Sequence, residues 1–212
     1  MSLADQAAHL RALMRHLRIA QAHLVGHSSG ANIALQLALD APEMVRSIAV
    51  LEPALPIPAA ASERLLSTRA GMAPVLEHYR AGNKAAAVDG FLRIVAGPAY
   101  REALDRVLPG AFDQAVASAD TFFGQELPAV QRWSFGRDEA SRITRPVLAV
   151  IGAKSKHVSP IWPARQELLL AWLPKAEPFV LPGAAHLLYV ENPRGMAGAL
   201  ADFFGRHPIE RR

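Results

Sequence analysis

The chain has 212 residues, of which 51% are hydrophobic and 20% charged, a balance typical of a folded globular protein and not of a disordered one. Its net charge of +4 comes from basic residues scattered along the chain, so a nucleic-acid partner is not expected. Cysteine is absent, which excludes disulfides, thiolate metal sites and cysteine nucleophiles. The length fits one main domain that carries an insertion.

The first predicted element is an amphipathic helix over residues 3–17, which Ser2 introduces in a capping-box pattern. Charged residues from Asp5 to Arg18 interrupt any signal-peptide core in this segment. The uncharged stretch 23–39 contains too many polar residues for a membrane span. We therefore expect no membrane partner and a cytoplasmic location.

A strand–helix–strand unit follows. Residues 22–25 form a short apolar strand, 26–30 a tight turn, and 32–40 a helix that stops before Pro42. The continuous apolar run over 45–51 is typical of a strand in a parallel sheet that is covered on both faces. The three elements together predict a βαβ unit.

A helical insertion then separates this unit from the rest of the sheet. Prolines at 53, 56 and 58 indicate that the chain leaves the sheet, and residues 60–133 have a helical pattern with Gly and Pro breaks. The remaining predicted elements are a strand over 146–151, a helix over 160–172, a strand over 178–181 and a helix over 193–204. We predict an α/β fold with about four parallel strands: residues 1–55 and 140–212 form the core, and 56–139 an all-helical lid.

The turn between the first strand and its helix reads Gly26-His27-Ser28-Ser29-Gly30, a match to G-x-S-x-G. A turn this sharp forces the serine into a strained conformation and requires small residues two positions before and after it. The strain exposes the Ser28 hydroxyl, and the helix that begins at Ser29 directs free N–H groups toward an anion forming there. The spacing and its context therefore predict a nucleophile, with an ordinary Gly-rich turn as the alternative.

A serine nucleophile needs an imidazole base that a carboxylate holds in place. His186 lies in the loop "PGAAH" after the fourth strand, where parallel strands end on the same edge as Ser28, and it is the predicted base. His157, after the third strand, is the rival base, and His27 is a candidate for the pocket wall.

Two segments resemble the α/β-hydrolase fold. "LVGHSSGANIALQLAL" is similar to the nucleophile elbow of that family and its following helix, and "VLPGAAHLLYVENPRGMAGALADFF" is similar to its histidine loop and last helix. The resemblance covers nearly the whole chain and implies a helical lid over the insertion.

The triad acid departs from the family pattern. The resemblance implies an aspartate shortly after the third strand, but the chain reads Gly152-Ala153-Lys154-Ser155, and a serine cannot stay anionic beside an imidazolium. Glu52, which ends the second strand 24 residues after Ser28, is the predicted substitute. The alternative is that Glu52 only caps the strand or forms an ion pair under the lid.

A second departure concerns the strands that the family places before the elbow. No strand is predicted before the first helix, and no His-Gly motif supplies a second oxyanion donor, so the N–H of Ser29 is the expected donor. The outer edge of strand 22–25 is predicted to be exposed. We expect either a fragment of a longer product or a homodimer in which a second copy covers this edge.

The leading functional hypothesis is a serine hydrolase that acts on a small ester, lactone or related acyl substrate through an acyl-enzyme. Ser28 attacks, His186 transfers the proton, Glu52 orients the imidazole and Ser29 stabilises the oxyanion. The alternatives are a catalytically impaired hydrolase-like binding protein and a cofactor-free haloperoxidase or perhydrolase. No cofactor or metal is implied, and the predicted substrate-binding residues are His27, Trp133 and Leu187.

Overall fold

Four apolar segments form one parallel sheet in the computed structural model, which describes residues 1–57, 63–173 and 175–209 and, for residues 63–69, the backbone alone. The strands are β1 (Ala22–His27), β2 (Val45–Leu51), β3 (Val147–Gly152) and β4 (Ala176–Leu181). They lie side by side in chain order and pair in parallel, so their carboxyl ends meet at one edge of the sheet.

The helices lie before, between and after these strands. Outside the region between β2 and β3 they are α1 (Leu3–His16), α2 (Ser29–Asp40), a one-turn 3₁₀-helix (Pro42–Met44), α10 (Ser155–Val158), α11 (Ile161–Trp172), α12 (Leu188–Glu191) and α13 (Pro193–Gly205). Between β2 and β3 they are α3 (Glu63–Arg80), α4 (Lys84–Ala96), α5 (Tyr100–Val107), α6 (Ala111–Ala117), α7 (Ala119–Thr121), a π-helical turn (Phe122–Glu126), α8 (Leu127–Arg132) and α9 (Arg137–Ser141).

Helices cover both faces of the sheet. Successive residues of a strand point to opposite faces, and in β2 Ile48 and Val50 join one apolar cluster while Ala49 and Leu51 join another. The first cluster includes side chains of α1, α2 and α11, and the second is closed by Phe203 of α13. This explains why the strands are apolar throughout instead of alternating with polar residues.

The helices between β2 and β3 have an apolar core of their own, which includes the aromatic side chains of Tyr100, Phe112 and Phe123. Phe122 and Phe123 lie in the π-helical turn and contact Phe91 of α4. We call helices α3 to α8 the helical block. Trp133 and Phe135, which follow α8, pack instead against the cluster on the α2 face of the sheet.

The predicted α/β class with four parallel strands is confirmed. The predicted strands and helices are present with small shifts at their ends: β1 extends to His27, and α2 begins at Ser29 because the Ala31 N–H bonds back to the Ser28 carbonyl at 3.1 Å. Pro58 and the predicted start of the helical pattern at residue 60 lie outside the described residues. The division into core and lid at residues 55 and 139 stays a prediction. Within the described ranges, no helix has the length and apolar character needed to cross a bilayer.

Candidate active site

Ser28 lies at the turn between β1 and α2 with φ 53° and ψ −120°, a backbone conformation that L-residues rarely adopt. Its N–H donates to the carbonyl of Leu51 at the end of β2 (2.9 Å), and its own carbonyl accepts from the N–H of Ala54 (3.3 Å). The end of β2 and the segment that follows it thus hold the backbone of Ser28 on both sides. Backbone strain of this kind persists only where surrounding structure enforces it, and it is concentrated at functional sites.

Gly26 is required at this turn by close packing. A Cβ atom at this position would lie 2.4 Å from the carbonyl oxygen of Gly30 and 2.5 Å from Cα of Ala31, both of them backbone atoms. At Gly30 an added Cβ would meet nothing within 4 Å. The expectation that both positions need a small side chain is therefore right for Gly26 and wrong for Gly30. An added Cβ at Gly26 would meet the backbone at the start of α2, whereas one at Gly30 would point into open space.

Glu52, immediately after β2, also has a positive φ, of 42°, and its side chain is buried. Its Oε2 accepts a hydrogen bond from Nδ1 of His186 at 2.8 Å, and its Oε1 accepts from the backbone N–H of Gly152 at 2.8 Å. Both ionisable side chains are nearly closed to solvent, at 2% exposure for Glu52 and 4% for His186. Such a contact fixes the orientation of the imidazole and stabilises its protonated form.

Ser155 occupies the position where the resemblance implied the acid, and its role in the structure is that of a donor. Its side chain is fully buried at the start of α10, and its hydroxyl donates to Oε1 of Glu52. The carboxylate is thus supplied just after β2, and two donors hold it: the N–H of Gly152 at the end of β3 and the hydroxyl of Ser155 at the start of α10.

His186 lies in the loop after β4, and its neighbours fix the ring. With Nδ1 bonded to Glu52, Nε2 is the nitrogen left to exchange a proton. Trp162 of α11 stacks on the imidazole with ring centroids 4.0 Å apart, and its Nε1 donates to the carbonyl of Val95 in the helical block. Within the described part of the chain, Ser28 Oγ and His186 Nε2 are not hydrogen-bonded to each other; such contacts often tighten only when substrate binds.

His27 holds the loop that carries His186. Its Nε2 donates to the backbone carbonyl of His186 at 2.8 Å, and the ring packs against Tyr189 edge to face. Burial, together with the nearby imidazole of His186, lowers the pKa of His27 to about 3, so this ring is neutral at physiological pH. His157, the rival base, lies exposed on α10.

A cavity of about 550 Å³ opens beside Ser28, between the strand ends and the helical block. Among the described residues that line it, Arg165 of α11 is the one that carries a charge, and burial lowers the pKa of its guanidinium to about 10 against the opposing effect of Glu52. The apolar part of the wall is formed by Leu55, Ile57, Met72, Leu76, Phe91, Ile94, Val95, Leu127, Val130, Ile161 and Trp162.

The three residues predicted to bind substrate lie elsewhere. His27 packs under the histidine loop, and Leu187 packs against the apolar core of the helical block. Trp133 donates its Nε1 to Oε1 of Gln36 on α2 at 2.8 Å and stacks on Phe135. None of the three lines the cavity as far as the described residues define it, because their side chains are engaged in packing.

Sequence reasoning missed Trp162 and Arg165. Both belong to "PIWPARQELLLAW", the helix that follows β3 at the catalytic edge, and an aromatic and a basic residue within its first two turns were the available signal. In the described ranges, no group of three or more His, Asp or Glu side chains is placed to hold a metal ion.

A strained serine after β1, a buried carboxylate–imidazole pair after β2 and β4, and a cavity under a helical block match the arrangement of the α/β-hydrolase fold. A family model described as the alpha/beta hydrolase fold matches residues 1–193. The chain belongs to this family.

Two curated relatives are each 29% identical to the chain. One is the dihydrolipoyllysine-residue acetyltransferase component of the acetoin cleaving system from Cupriavidus necator, with 90% of this chain and 45% of that protein covered. The other is 2-(acetamidomethylene)succinate hydrolase from Mesorhizobium japonicum, with 94% of this chain and 69% of that protein covered. The chain thus spans less than half the length of the first relative and about two thirds of the second.

Among solved structures, the chain is similar to MGS-M2, an α/β-hydrolase enzyme from a Medee basin deep-sea metagenome library. The TM-score is 0.73 at 21% sequence identity, with 100% of this chain and 74% of that chain covered. At this identity the likeness shows the shared fold.

Proposed function

We propose that the chain is a serine hydrolase that cleaves a small ester, lactone or related acyl substrate through an acyl-enzyme. The observation that carries the proposal is the buried contact between Glu52 and His186 at the strand edge where Ser28 is held with a positive φ. A buried charge is costly unless it is paired. The contact with His186 and the two further donors to the Glu52 carboxylate offset that cost.

In the proposed reaction, Ser28 Oγ attacks the substrate carbonyl carbon while its proton passes to Nε2 of His186. Glu52 stabilises the imidazolium, and the N–H of Ser29, the first residue of α2, donates to the oxyanion. As the tetrahedral intermediate collapses, the bond to the leaving group breaks and the leaving oxygen takes the proton from His186. A water molecule then loses its proton to His186 and attacks the acyl-enzyme, which releases the acid and restores Ser28.

The comparisons support this assignment at the level of chemistry. One relative is named a hydrolase, and the family is named for this activity. Ser155 at the position where the resemblance implies an acid is compatible with the proposal, because the Glu52 carboxylate contacts both His186 and the Ser155 hydroxyl. The homodimer that covers the outer edge of β1 and the cytoplasmic location stay predictions; light scattering on the purified chain tests the former.

Labelling with a fluorophosphonate probe tests the proposed nucleophile. We expect one adduct in the intact mass of the chain, none in Ser28→Ala, and an unchanged adduct in Ser118→Ala, which removes an exposed hydroxyl from the helical block. Absence of an adduct on monodisperse, folded protein would contradict the proposal and favour the impaired binding protein. If the chain without the probe turns over esters, adding acetate and hydrogen peroxide separates a perhydrolase from a hydrolase.

A further inference from the structure

The guanidinium group of Arg165 is held by two contacts in the cavity that Ser28 also lines. Its Nε donates to the backbone carbonyl of Leu55 at 2.9 Å, in the segment that follows Glu52. Its guanidinium carbon lies 5.2 Å from the ring of Trp162, the indole that stacks on His186. Arg165 and Ser28 line the same cavity.

Among the described side chains, the charge of Arg165 has no directly bonded partner. Against the larger effect of burial, the nearby Glu52 carboxylate raises the pKa of Arg165, but that carboxylate is already hydrogen-bonded to three other donors. The polar residues that share the cavity wall, such as Gln131 and Ser159, are neutral. Even with its pKa lowered by burial to about 10, the guanidinium is protonated at neutral pH. A cation in an apolar cavity is costly unless an anion pairs with it.

The remaining donors of Arg165 are its two terminal nitrogens. Nε is bonded to Leu55, and the described residues provide no hydrogen-bond partner for the terminal nitrogens, which match the geometry of a carboxylate with paired hydrogen bonds. The surrounding wall is apolar, with Leu55 and Ile161 among its members, so it suits the carbon chain or ring that joins this anion to the reacting carbonyl.

We propose that Arg165 binds a free carboxylate of the substrate, so that the preferred substrates are small acyl compounds that carry a carboxylate in addition to the bond that is cleaved. This inference rests on the proposed serine hydrolase and names its substrate class. The alternative is a structural role, in which Arg165 only holds the Leu55 segment and packs on Trp162. In that case its loss would affect charged and neutral substrates alike.

The test compares two pairs of esters that differ in charge. Mono-4-nitrophenyl adipate is paired with 4-nitrophenyl 6-methylheptanoate, in which an isopropyl group replaces the carboxylate, and 4-butyryloxybenzoate is paired with its methyl ester. The first pair places the charge on the acyl side and the second on the leaving group. We expect the unmodified chain to favour the charged member of at least one pair in kcat/KM.

In Arg165→Met, that preference, taken as the ratio of kcat/KM for the charged ester to kcat/KM for its neutral partner, should fall about 10- to 100-fold, mainly through the KM of the charged ester. Arg132→Met, which removes an exposed arginine of α8 outside the cavity wall, controls for the general attraction of a basic protein for anions. An unchanged preference in Arg165→Met, or a preference of the unmodified chain for both neutral esters, would overturn the inference. If Arg165→Met does not fold, Arg165→Lys takes its place with an expected loss of about 3- to 10-fold, and an unchanged preference again overturns it.

Calorimetric titration with benzoate and with benzamide tests the carboxylate site without requiring that the chain turn over a substrate. Benzoate binding that exceeds benzamide binding and is lost in Arg165→Met supports the carboxylate site even in a chain that forms no fluorophosphonate adduct, a result in which the proposed function fails and the site stands. Labelling and turnover without any dependence on Arg165 is the opposite result, in which the function stands and the inference fails.

Discussion

The strand ends and the helical block contribute different things to the cavity that they share. The strand ends hold Ser28, Glu52 and His186; Ser28 and Glu52 have positive φ, and the side chains of Glu52 and His186 are joined by a directed hydrogen bond. As far as the chain is described, the helical block contributes mainly apolar side chains to the cavity wall, together with Gln131, and the carbonyl of Val95 holds Trp162. From this difference we infer that the strand ends carry out the proposed reaction and that the helical block determines which substrates fit.

The largest effect should come from the carboxylate. Glu52→Gln keeps the size of the side chain but removes the charge that stabilises a protonated His186, and we expect kcat/KM to fall about 10²- to 10⁴-fold. The rate of fluorophosphonate labelling should fall with it. Glu167→Gln, at an exposed position of α11, is the matched control. A loss below about threefold would show that Glu52 is only a structural group.

Alanine substitutions at the two glycines of the turn should differ strongly in their effect on stability. Gly26→Ala forces a Cβ atom against the backbone of α2 and should destabilise the fold by about 3 kcal/mol or more. Gly30→Ala has open space and a helical position, so its effect should stay within about 1 kcal/mol. Urea unfolding of the two variants measures the contrast, and equal losses would mean that the turn does not pack as described.

The imidazole of His27, at the end of β1, should make the stability of the fold depend on pH. The unfolded chain binds a proton on this imidazole below about pH 6.5, whereas the folded protein does so only near pH 3, so stability falls as pH decreases through this window. Between pH 8 and pH 5, we expect the free energy of unfolding of His27→Gln to fall by about 1–2 kcal/mol less than that of the unmodified chain. His9→Gln, on an exposed face of α1, controls for removal of an imidazole. Parallel stability curves for His27→Gln and the unmodified chain would refute this prediction.

The smallest effect should come from the block. Ile94 of α4 lines the cavity, and Ile94→Ala enlarges it without touching the strand ends. We expect the preference among acyl chain lengths to shift about 3- to 10-fold in kcat/KM while the labelling rate of Ser28 stays unchanged. A large drop in labelling would show that the block also controls the chemistry, contrary to the comparison above.

The strand ends were predictable from the sequence and the cavity wall was not, for a physical reason. Parallel strands bring their carboxyl ends to one edge, so the order of local elements places residues 28, 52 and 186 near one another, and the resemblance to the α/β-hydrolase fold suggested their roles. The choice between Trp133 and Trp162 depends on which helix packs over His186, a contact between distant parts of the chain. The donor role of Ser155 also escaped prediction, because it becomes visible only once Glu52 is in place.

The connection between β2 and β3 has a consequence for the order in which the molecule assembles. These strands are neighbours, yet about 95 residues separate Leu51 from Val147, and closing a loop of that length costs about 4 kcal/mol of chain entropy. The turn at Ser28 needs only β1, α2 and β2, whereas every partner of the Glu52 carboxylate lies beyond the long connection. On refolding from denaturant we therefore expect secondary structure to return first, and the reactivity of Ser28 to return last.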